Sequence, residues 1–226
     1  MTTLVLQLVG PMQSYGTNRA GDGIRDTANA PTKSTLIGMV AGACGIDRES
    51  DQRMVPGVAL TLADLAGLKM GVRVDREGVL MDDFQTAAHE GTPTANGKYR
   101  QGPSFFKFYI SDAAFLVGLE GSANILAAIS DALRTPHWAP CLGRRGCIPS
   151  KPLVFPDGGI RQLPLVDALR QEPLSGVPRE CRFIVEVPVG KGTRRVTDVP
   201  LCFASANRRF GAREVREFIE KVPKGA

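Results

Sequence analysis

The sequence lacks both a long apolar run and a secretory leader. No stretch approaches the roughly 18 consecutive apolar residues that a membrane-spanning helix needs. Met1 is followed directly by a strand-like segment, not by the charged region and apolar core of a signal peptide. Internal repeats and low-complexity tracts are absent too. We therefore expect a cytoplasmic protein rather than a membrane or secreted one.

Cysteine and histidine are too few and too irregularly spaced to suggest a metal centre. The five cysteines are an odd number without regular spacing, which is typical of free thiols that fill a core in a reducing compartment. His137, Cys141 and Cys147 match no usual zinc spacing, and a fourth ligand is missing. The sequence predicts no metal and no cofactor.

The glycines of a nucleotide-binding P-loop are also missing. Lys33-Ser34-Thr35 stands at a predicted helix start, but Ala28-Asn-Ala-Pro-Thr32 precedes it where a glycine-rich loop would be needed. This excludes nucleotide hydrolysis of the P-loop type. A helix start with Thr32, Lys33 and Ser34 can still hold one phosphate through backbone N–H groups, although an N-cap with a solvated lysine explains these residues equally well.

Acidic residues are absent from two long stretches. The formal net charge is +5, and segments 91–111 and 135–156 contain lysine and arginine but neither aspartate nor glutamate. Acidic residues gather elsewhere, in segments 47–51 and 75–83. A basic surface separated from an acidic one is typical of a protein that binds a phosphate backbone.

Periodicity predicts an α+β fold. We predict strands at 2–9, 69–75, 78–86, 104–110, 113–120, 181–189 and 193–201, and helices beginning near 34 and spanning 124–134 and 164–171, with a helix-like stretch at 50–67. Hairpin turns are predicted at 75–78, 111–112 and 190–192. The connection after the first strand exceeds twenty residues, which is typical of a functional loop.

The order of these elements predicts a ferredoxin-like (RRM-like) βαββαβ domain. We place it at 1–150, with a hairpin thumb at about 84–108, followed by a smaller β-rich C-terminal domain at 151–226. RNA-recognition modules share this plan and meet single-stranded RNA on an open sheet face, although fold analogy alone does not establish RNA binding.

Two loops favour RNA binding most directly. Lys98-Tyr99-Arg100 places an aromatic ring between two cations, so the ring can stack on a base while the cations meet phosphates. Arg144-Arg145 lies between Gly143 and Gly146, which suits two guanidinium groups that clamp phosphates. His89, near Lys98 and Tyr99, leaves open a metal-independent endoribonuclease, although a solvated loop histidine explains it as well.

Four blocks of residues resemble the CasD-type subunits of type I-E CRISPR effector complexes (Cascade), which belong to the RAMP superfamily. Leu6-Gln-Leu-Val-Gly-Pro-Met-Gln-Ser-Tyr-Gly16 is similar to the family's L-x-L-x-G-P-x-Q-x-W-G, with Tyr15 in place of tryptophan. Pro31-Thr-Lys-Ser-Thr-Leu-Ile-Gly38 is similar to its helix start, Leu142-Gly-Arg-Arg-Gly-Cys147 to its L-G-R-R-x-C-P loop, and Phe203-Ala-Ser205 to its late F-A-S.

The resemblance implies a non-catalytic subunit that binds and caps the 5′ handle of the CRISPR RNA (crRNA). It also implies backbone subunits and the large PAM-reading subunit as partners, with the thumb wedged between nucleotides. A self-processing nuclease, as in type I-C relatives, is the alternative. The candidate RNA-binding residues are Gln13, Ser14, Tyr15, Arg25, Lys33, Ser34, Lys98, Tyr99, Arg100, Lys107, Arg144 and Arg145. Residues 17–30 match no block.

Overall fold

A seven-stranded antiparallel sheet forms the centre of the protein, and its strand β1 (Thr2–Val9) is buried on both faces. Leu4 and Leu6 pack on one side and Val5 on the other, which explains why this strand is almost entirely apolar. The computed structural model describes residues 1–17, 20–21, 24–49, 52–55, 58–86, 92–100, 102, 104–173 and 179–222.

Strands from both halves of the chain share this sheet. In spatial order they are β13 (Ile160–Arg161), β1, β12 (Ala114–Gly121), β7 (Lys69–Arg76), β14 (Arg179–Val187), β16 (Arg209–Val222) and β15 (Arg194–Cys202). The sheet is therefore continuous across residue 150.

A second, smaller sheet is connected to the first. Its strands are β2 (Met12–Gln13), β11 (Ser104–Ser111), β4 (Ile24–Arg25) and β3 (Ala20–Gly21), with β8 (Val79–Thr86) also paired to β11. Two short hairpins complete the strands: β5 (Gln52–Val55) with β6 (Val58–Thr61), and β9 (Thr92–Pro93) with β10 (Tyr99–Arg100).

The two sheets are joined by a bent two-stranded ribbon. β7 pairs with β12, β8 pairs with β11, and both strands bend at the same level, at Gly78 (φ 74°) and Asp112 (φ 55°). The predicted hairpins at 75–78 and 111–112 are therefore wrong. A glycine in the left-handed region serves a tight turn or a strand bend equally, so the local sequence does not distinguish them.

Two other predictions are wrong, the first of them in part. Within the predicted helix-like stretch 50–67, residues 52–55 and 58–61 pair as β5 and β6, because β-branched residues such as Val55, Val58 and Thr61 favour strands, whereas Leu62–Gly67 is helical as predicted. The strands near 181–189 and 193–201 do not pair with each other, since β16 lies between them. The arginines of segment 208–216 therefore lie on or next to β16, an interior strand of the sheet. This strand was not predicted from the sequence.

Helices cover both faces of the main sheet. The helices are α1 (Lys33–Cys44), α2 (Leu62–Gly67), α3 (Ala123–Arg134) and α4 (Leu165–Gln171), with a 3-10 turn at Ser205–Asn207. α1 and α3 share one core, and α4 packs against β7 and β12 through Leu165 and Leu169 on the opposite side. The buried Arg73 holds α4 by donating to the carbonyls of Leu169 (2.6 Å) and Glu172 (2.7 Å).

α4 thus covers the part of the sheet face opposite α1 and α3 that β1, β7 and β12 form. Among the described residues, no helix has both the length and the apolar character to cross a membrane.

Candidate nucleic-acid interface

The second sheet carries a basic face. Arg25 on β4 and Lys107 on β11 are paired in register, so their side chains leave the sheet on the same side. Tyr109, two residues further along β11, shares that side. Arg25 is exposed and Lys107 is half-buried, with its Nζ donating to Oε1 of Gln85. Asp83 of β8 is the in-register partner of Lys107 and lies on this side too, where its carboxylate accepts from Gln85 Nε2 at 2.7 Å. We call this side, with the cations Arg25 and Lys107 and the ring of Tyr109, the basic face.

The opposite side of the same sheet is apolar. Ile24, Phe106 and Phe84 form a row across β4, β11 and β8, and they are 47%, 41% and 56% exposed. The two phenylalanine rings lie 4.9 Å apart between centroids. The second sheet thus separates a surface suited to phosphates from a surface suited to apolar or aromatic groups.

Arg144 lies over the basic face. Its guanidinium carbon is 4.6 Å from the centroid of the Tyr109 ring, a cation–π distance, and its Nη2 donates to the carbonyl oxygen of Arg25 at 2.5 Å. Its Nη1 is buried and has no hydrogen-bond partner among the described residues. Arg144 therefore joins the loop of residues 141–147 to both β11 and β4.

The loop of residues 141–147 presents Arg145 to solvent. The Leu142 N–H donates to the Cys147 carbonyl at 2.7 Å, and the Cys147 N–H donates to the Arg144 carbonyl at 2.8 Å, which closes the loop on itself. Arg145 is exposed at its tip, without a hydrogen bond or ion pair within the described part of the chain. Burial raises the pKa of both flanking thiols, Cys141 and Cys147, so the arginines are the charged groups of this loop.

The candidates Gln13, Ser14 and Tyr15 lie inside the protein. Gln13 Nε2 donates to the Ala113 carbonyl at 2.8 Å, and the Tyr15 hydroxyl donates to Oε1 of Gln13. Ser14 Oγ donates to the Phe108 carbonyl at 3.0 Å. All three are at most 2% exposed, and burial raises the pKa of Tyr15 well above its ordinary value. These side chains therefore do not reach solvent, and the segment is joined to the loop of residues 141–147 by the backbone N–H of Ser14, which donates to the Leu142 carbonyl at 3.0 Å.

The candidate Lys33 is enclosed as well. It is 2% exposed, and its Nζ lies 2.9 Å from Oε2 of Glu186 on β14. Its backbone N–H, at the α1 N-terminus, donates to Oδ2 of Asp198 at 2.8 Å. The position at the helix start that suits a phosphate thus holds the carboxylate of Asp198.

The pKa values of Lys33 and Asp198 depend on both burial and charged neighbours. Burial lowers the pKa of Lys33, although Glu186 opposes the shift. Burial alone would raise the pKa of Asp198, but hydrogen bonds and charge from Arg213 lower it. The candidate Ser34 is half-buried, and its hydroxyl lies 3.3 Å from that of Thr32, the N-cap residue of α1.

The thumb candidates lie on the β9–β10 hairpin. Tyr99 pairs with Pro93 and is 69% exposed, so its ring is available for stacking. Lys98 is exposed, and its carbonyl accepts from the Thr94 N–H at 2.8 Å, which shapes the turn. Arg100 pairs with Thr92 through the backbone. His89, the histidine considered for the nuclease alternative, lies outside the described residues.

Two features of the site were missed from the sequence. Tyr109 belongs to the basic face, and the alternation of Lys107 and Tyr109 in a predicted strand was a usable signal. Asp198 and Glu186, which neutralise the α1 start, are more than 150 residues from it in sequence, and no local pattern connects them. In chemical terms, the exposed cations with Tyr99 suit single-stranded nucleic acid, since phosphates pair with cations and bases stack on rings.

Comparisons with known proteins agree on one family. Residues 3–216 match the family model described as "CRISPR-associated protein (Cas_Cas5)". The chain is 28% identical over 162 residues to the "CRISPR system Cascade subunit CasD" of Escherichia coli K12, which covers 66% of this chain and 68% of that protein.

Two solved structures extend the similarity to nearly the whole chain. One, described as "Crystal structure of Cas protein", has a TM-score of 0.75 and 36% identity over 99% of this chain and 98% of that one. The other belongs to a "CRISPR RNA-guided surveillance complex" and has a TM-score of 0.74 and 32% identity over 98% of this chain and 91% of that one.

Proposed function

The chain belongs to the Cas5 family of CRISPR-associated proteins, as a Cascade subunit of the CasD type, and from this premise we propose that it binds and caps the 5′ handle of crRNA as a non-catalytic subunit. The observation that carries the proposal is the in-register pair of Arg25 and Lys107 on the basic face, beside the loop that exposes Arg145. Cations aligned along two adjacent strands can follow successive phosphates of a single strand.

We propose a second RNA contact on the thumb, at Tyr99 of the β9–β10 hairpin. Tyr99 is exposed next to Lys98, so a base stacked on the ring would contribute about 1–3 kcal/mol. The apolar row on the other side of the second sheet agrees with burial against another subunit of the complex. As partners we propose crRNA, the backbone subunits and the large PAM-reading subunit, and as location the cytoplasm.

We further propose that the fold is ferredoxin-like. The strand order β13-β1-β12-β7 has α1 between β1 and β7 in the chain and α3 between β12 and β13, as a split βαβ plan requires. The last strand of that plan, Ile160–Arg161, lies beyond residue 150. The division into 1–150 and 151–226 remains a proposal.

RNA binding by the full chain tests the function. The chain is titrated, in EDTA and at several KCl concentrations, with RNA that carries the repeat-derived 5′ handle and with a shuffled RNA of the same composition. We expect tighter binding of the handle RNA, which stays intact. Equal affinity for both RNAs would contradict handle recognition, and site-specific cleavage would favour the metal-independent endoribonuclease.

Substitutions of two lysines, one on the basic face and one away from it, test whether RNA binds to the basic face. Lys107 is on the basic face, whereas the exposed Lys191 lies on the turn between β14 and β15. Lys107→Ala is expected to reduce the slope of log affinity against log salt by about 0.7, the contribution of one phosphate on a single strand, and Lys191→Ala to leave it unchanged. The same slope for both variants would place the RNA on another surface.

A further inference from the structure

The two adjacent arginines of the loop of residues 141–147 have different surroundings. Arg144 is half-buried, stacks on Tyr109 and donates to the Arg25 carbonyl. Arg145 is exposed and makes no hydrogen bond or ion pair with the residues that the structure describes. Two guanidinium groups that are neighbours in sequence are therefore not equivalent in what they can bind.

Arg144 contacts β4 through the backbone carbonyl of Arg25. β4 contains only Ile24 and Arg25, and it pairs at two positions with β11 and at two with β3, itself a strand of two residues. A strand this short has little stability of its own, and it lies within the long connection after β1, whose ordering costs conformational entropy. Arg144 donates a hydrogen bond to the carbonyl of Arg25, and its guanidinium group stacks on the ring of Tyr109 in β11.

Two of the nitrogen atoms of Arg144 are poorly placed to bind RNA. Nη1 is enclosed by the protein, so an RNA oxygen cannot reach it unless the loop moves. Nη2 is already bonded to Arg25. A guanidinium that is stacked on one face and bonded at its edge has few donors left for a phosphate.

We propose that Arg144 is a positioning residue that fixes β4 and the Arg25 side chain on the basic face, and that Arg145 is the residue of this pair that contacts an RNA phosphate. The inference rests on the proposed function for its RNA partner. The structural half, the attachment of β4 by Arg144, stands on the contacts of the free chain.

Lysine substitutions separate the two roles. A lysine keeps the positive charge, but it does not offer a planar group that stacks on a ring and donates sideways at once. Arg145→Lys is therefore expected to bind handle RNA like the wild type. Arg144→Lys is expected to lose as much affinity as Arg144→Ala, about tenfold, from the combined loss of the stack and the hydrogen bond.

The test combines salt-dependent RNA binding with hydrogen exchange on the full chain. Arg145→Ala should lower the salt slope by about 0.7 and leave amide exchange unchanged. Arg144→Ala and Arg144→Lys should leave the slope unchanged and speed exchange of the Ala28 amide, whose N–H donates to the Tyr15 carbonyl at 2.7 Å. If Arg144→Ala perturbs the whole fold, Tyr109→Leu replaces it, because it removes the ring and should speed the same exchange.

Two results would overturn the inference. One is a salt slope reduced by Arg144→Ala with exchange at Ala28 unchanged, since that identifies Arg144 as the phosphate contact. The other is wild-type affinity and exchange in Arg144→Lys. If the wild-type chain does not prefer handle RNA, the proposed function fails, while the exchange of the Arg144 variants still decides whether Arg144 holds β4.

Discussion

Gly143 and Ser14 lie so close together that a Cβ added to Gly143 would be 1.6 Å from the carbonyl oxygen of Ser14. Gly143 also has a φ of 97°, a conformation that side chains disfavour. The Ser14 N–H donates to the Leu142 carbonyl at 3.0 Å. The segment Gln13–Tyr15 and the loop of residues 141–147, which carries Arg144 and Arg145, are thus packed directly against each other.

Gly143→Ala is expected to destabilise the protein strongly. The new Cβ meets backbone that cannot move away, and the backbone must also hold a disfavoured φ, so we expect a loss of about 3 kcal/mol or more in the free energy of unfolding. Denaturant unfolding measures it. Gly146→Ala in the same loop is the control, since a Cβ there meets nothing within 4 Å, and a change within about 0.5 kcal/mol is expected. Equal effects in the two variants would contradict the contact.

Lys33→Met is expected to lower stability without changing the salt dependence of RNA binding. Removing the buried ammonium leaves Glu186 with Arg213 at 3.5 Å as its remaining cation, so we expect a cost of about 2 kcal/mol, below the full cost of breaking a buried pair. Lys69→Met is the control, because the Lys69–Glu120 pair is 3.8 Å apart and Lys69 is 42% exposed. A salt slope reduced by Lys33→Met would make Lys33 a phosphate contact after all.

The loss of stability at acidic pH is expected to depend in part on Asp198. Its pKa lies below 3.8, the ordinary value, so the unfolded chain binds the proton first as the pH falls. The stabilisation is therefore complete above about pH 4 and is lost as the pH falls through the folded-state pKa. Asp198→Asn should be less stable than the wild type at pH 7, and the difference in the free energy of unfolding should shrink below pH 4. A difference that is constant with pH would argue against the charge as its source.

Tyr99→Ala is expected to weaken binding of handle RNA by about tenfold through loss of a stacked base. Tyr99→Phe keeps the ring and should bind like the wild type. Because Tyr99 is 69% exposed, neither change should alter the free energy of unfolding by more than about 0.5 kcal/mol. Fluorescence anisotropy with labelled RNA measures the affinity. Loss of binding in Tyr99→Phe would assign the effect to the hydroxyl rather than to stacking.

The local elements were largely predictable, because their signals are local. β1, α1, α3 and α4 were predicted within one or two residues from apolar periodicity and from the polar or proline residues that bound them. The family was predictable as well, since its four blocks are short runs of specific residues, and the comparisons confirm it. The α+β composition of the fold is confirmed by the mixed strands and helices of the structure.

Pairing between strands was much less predictable. The sequence predicts a hairpin turn at Gly78, yet Gly78 bends the ribbon that runs from one sheet into the other. A glycine in the left-handed region suits both geometries. The pair near 181–201 was predicted as a hairpin for the same reason, whereas the long β16 occupies the place between its strands. The residues of two consecutive strands do not reveal that a later strand, here β16, will pair between them.

The sequence by itself determined where the cations are, the positions of elements with strong local signals such as β1, α1 and α3, and which family the chain joins. Only the tertiary structure decided which cations are available. It paired Lys33 with Glu186 and filled the α1 start with Asp198, it enclosed Gln13 and Tyr15 in the core, and it left Arg145 in solvent. The physical reason is that the availability of a charge depends on the groups that fold around it. Those groups come from parts of the chain far away in sequence, and a local pattern cannot record them.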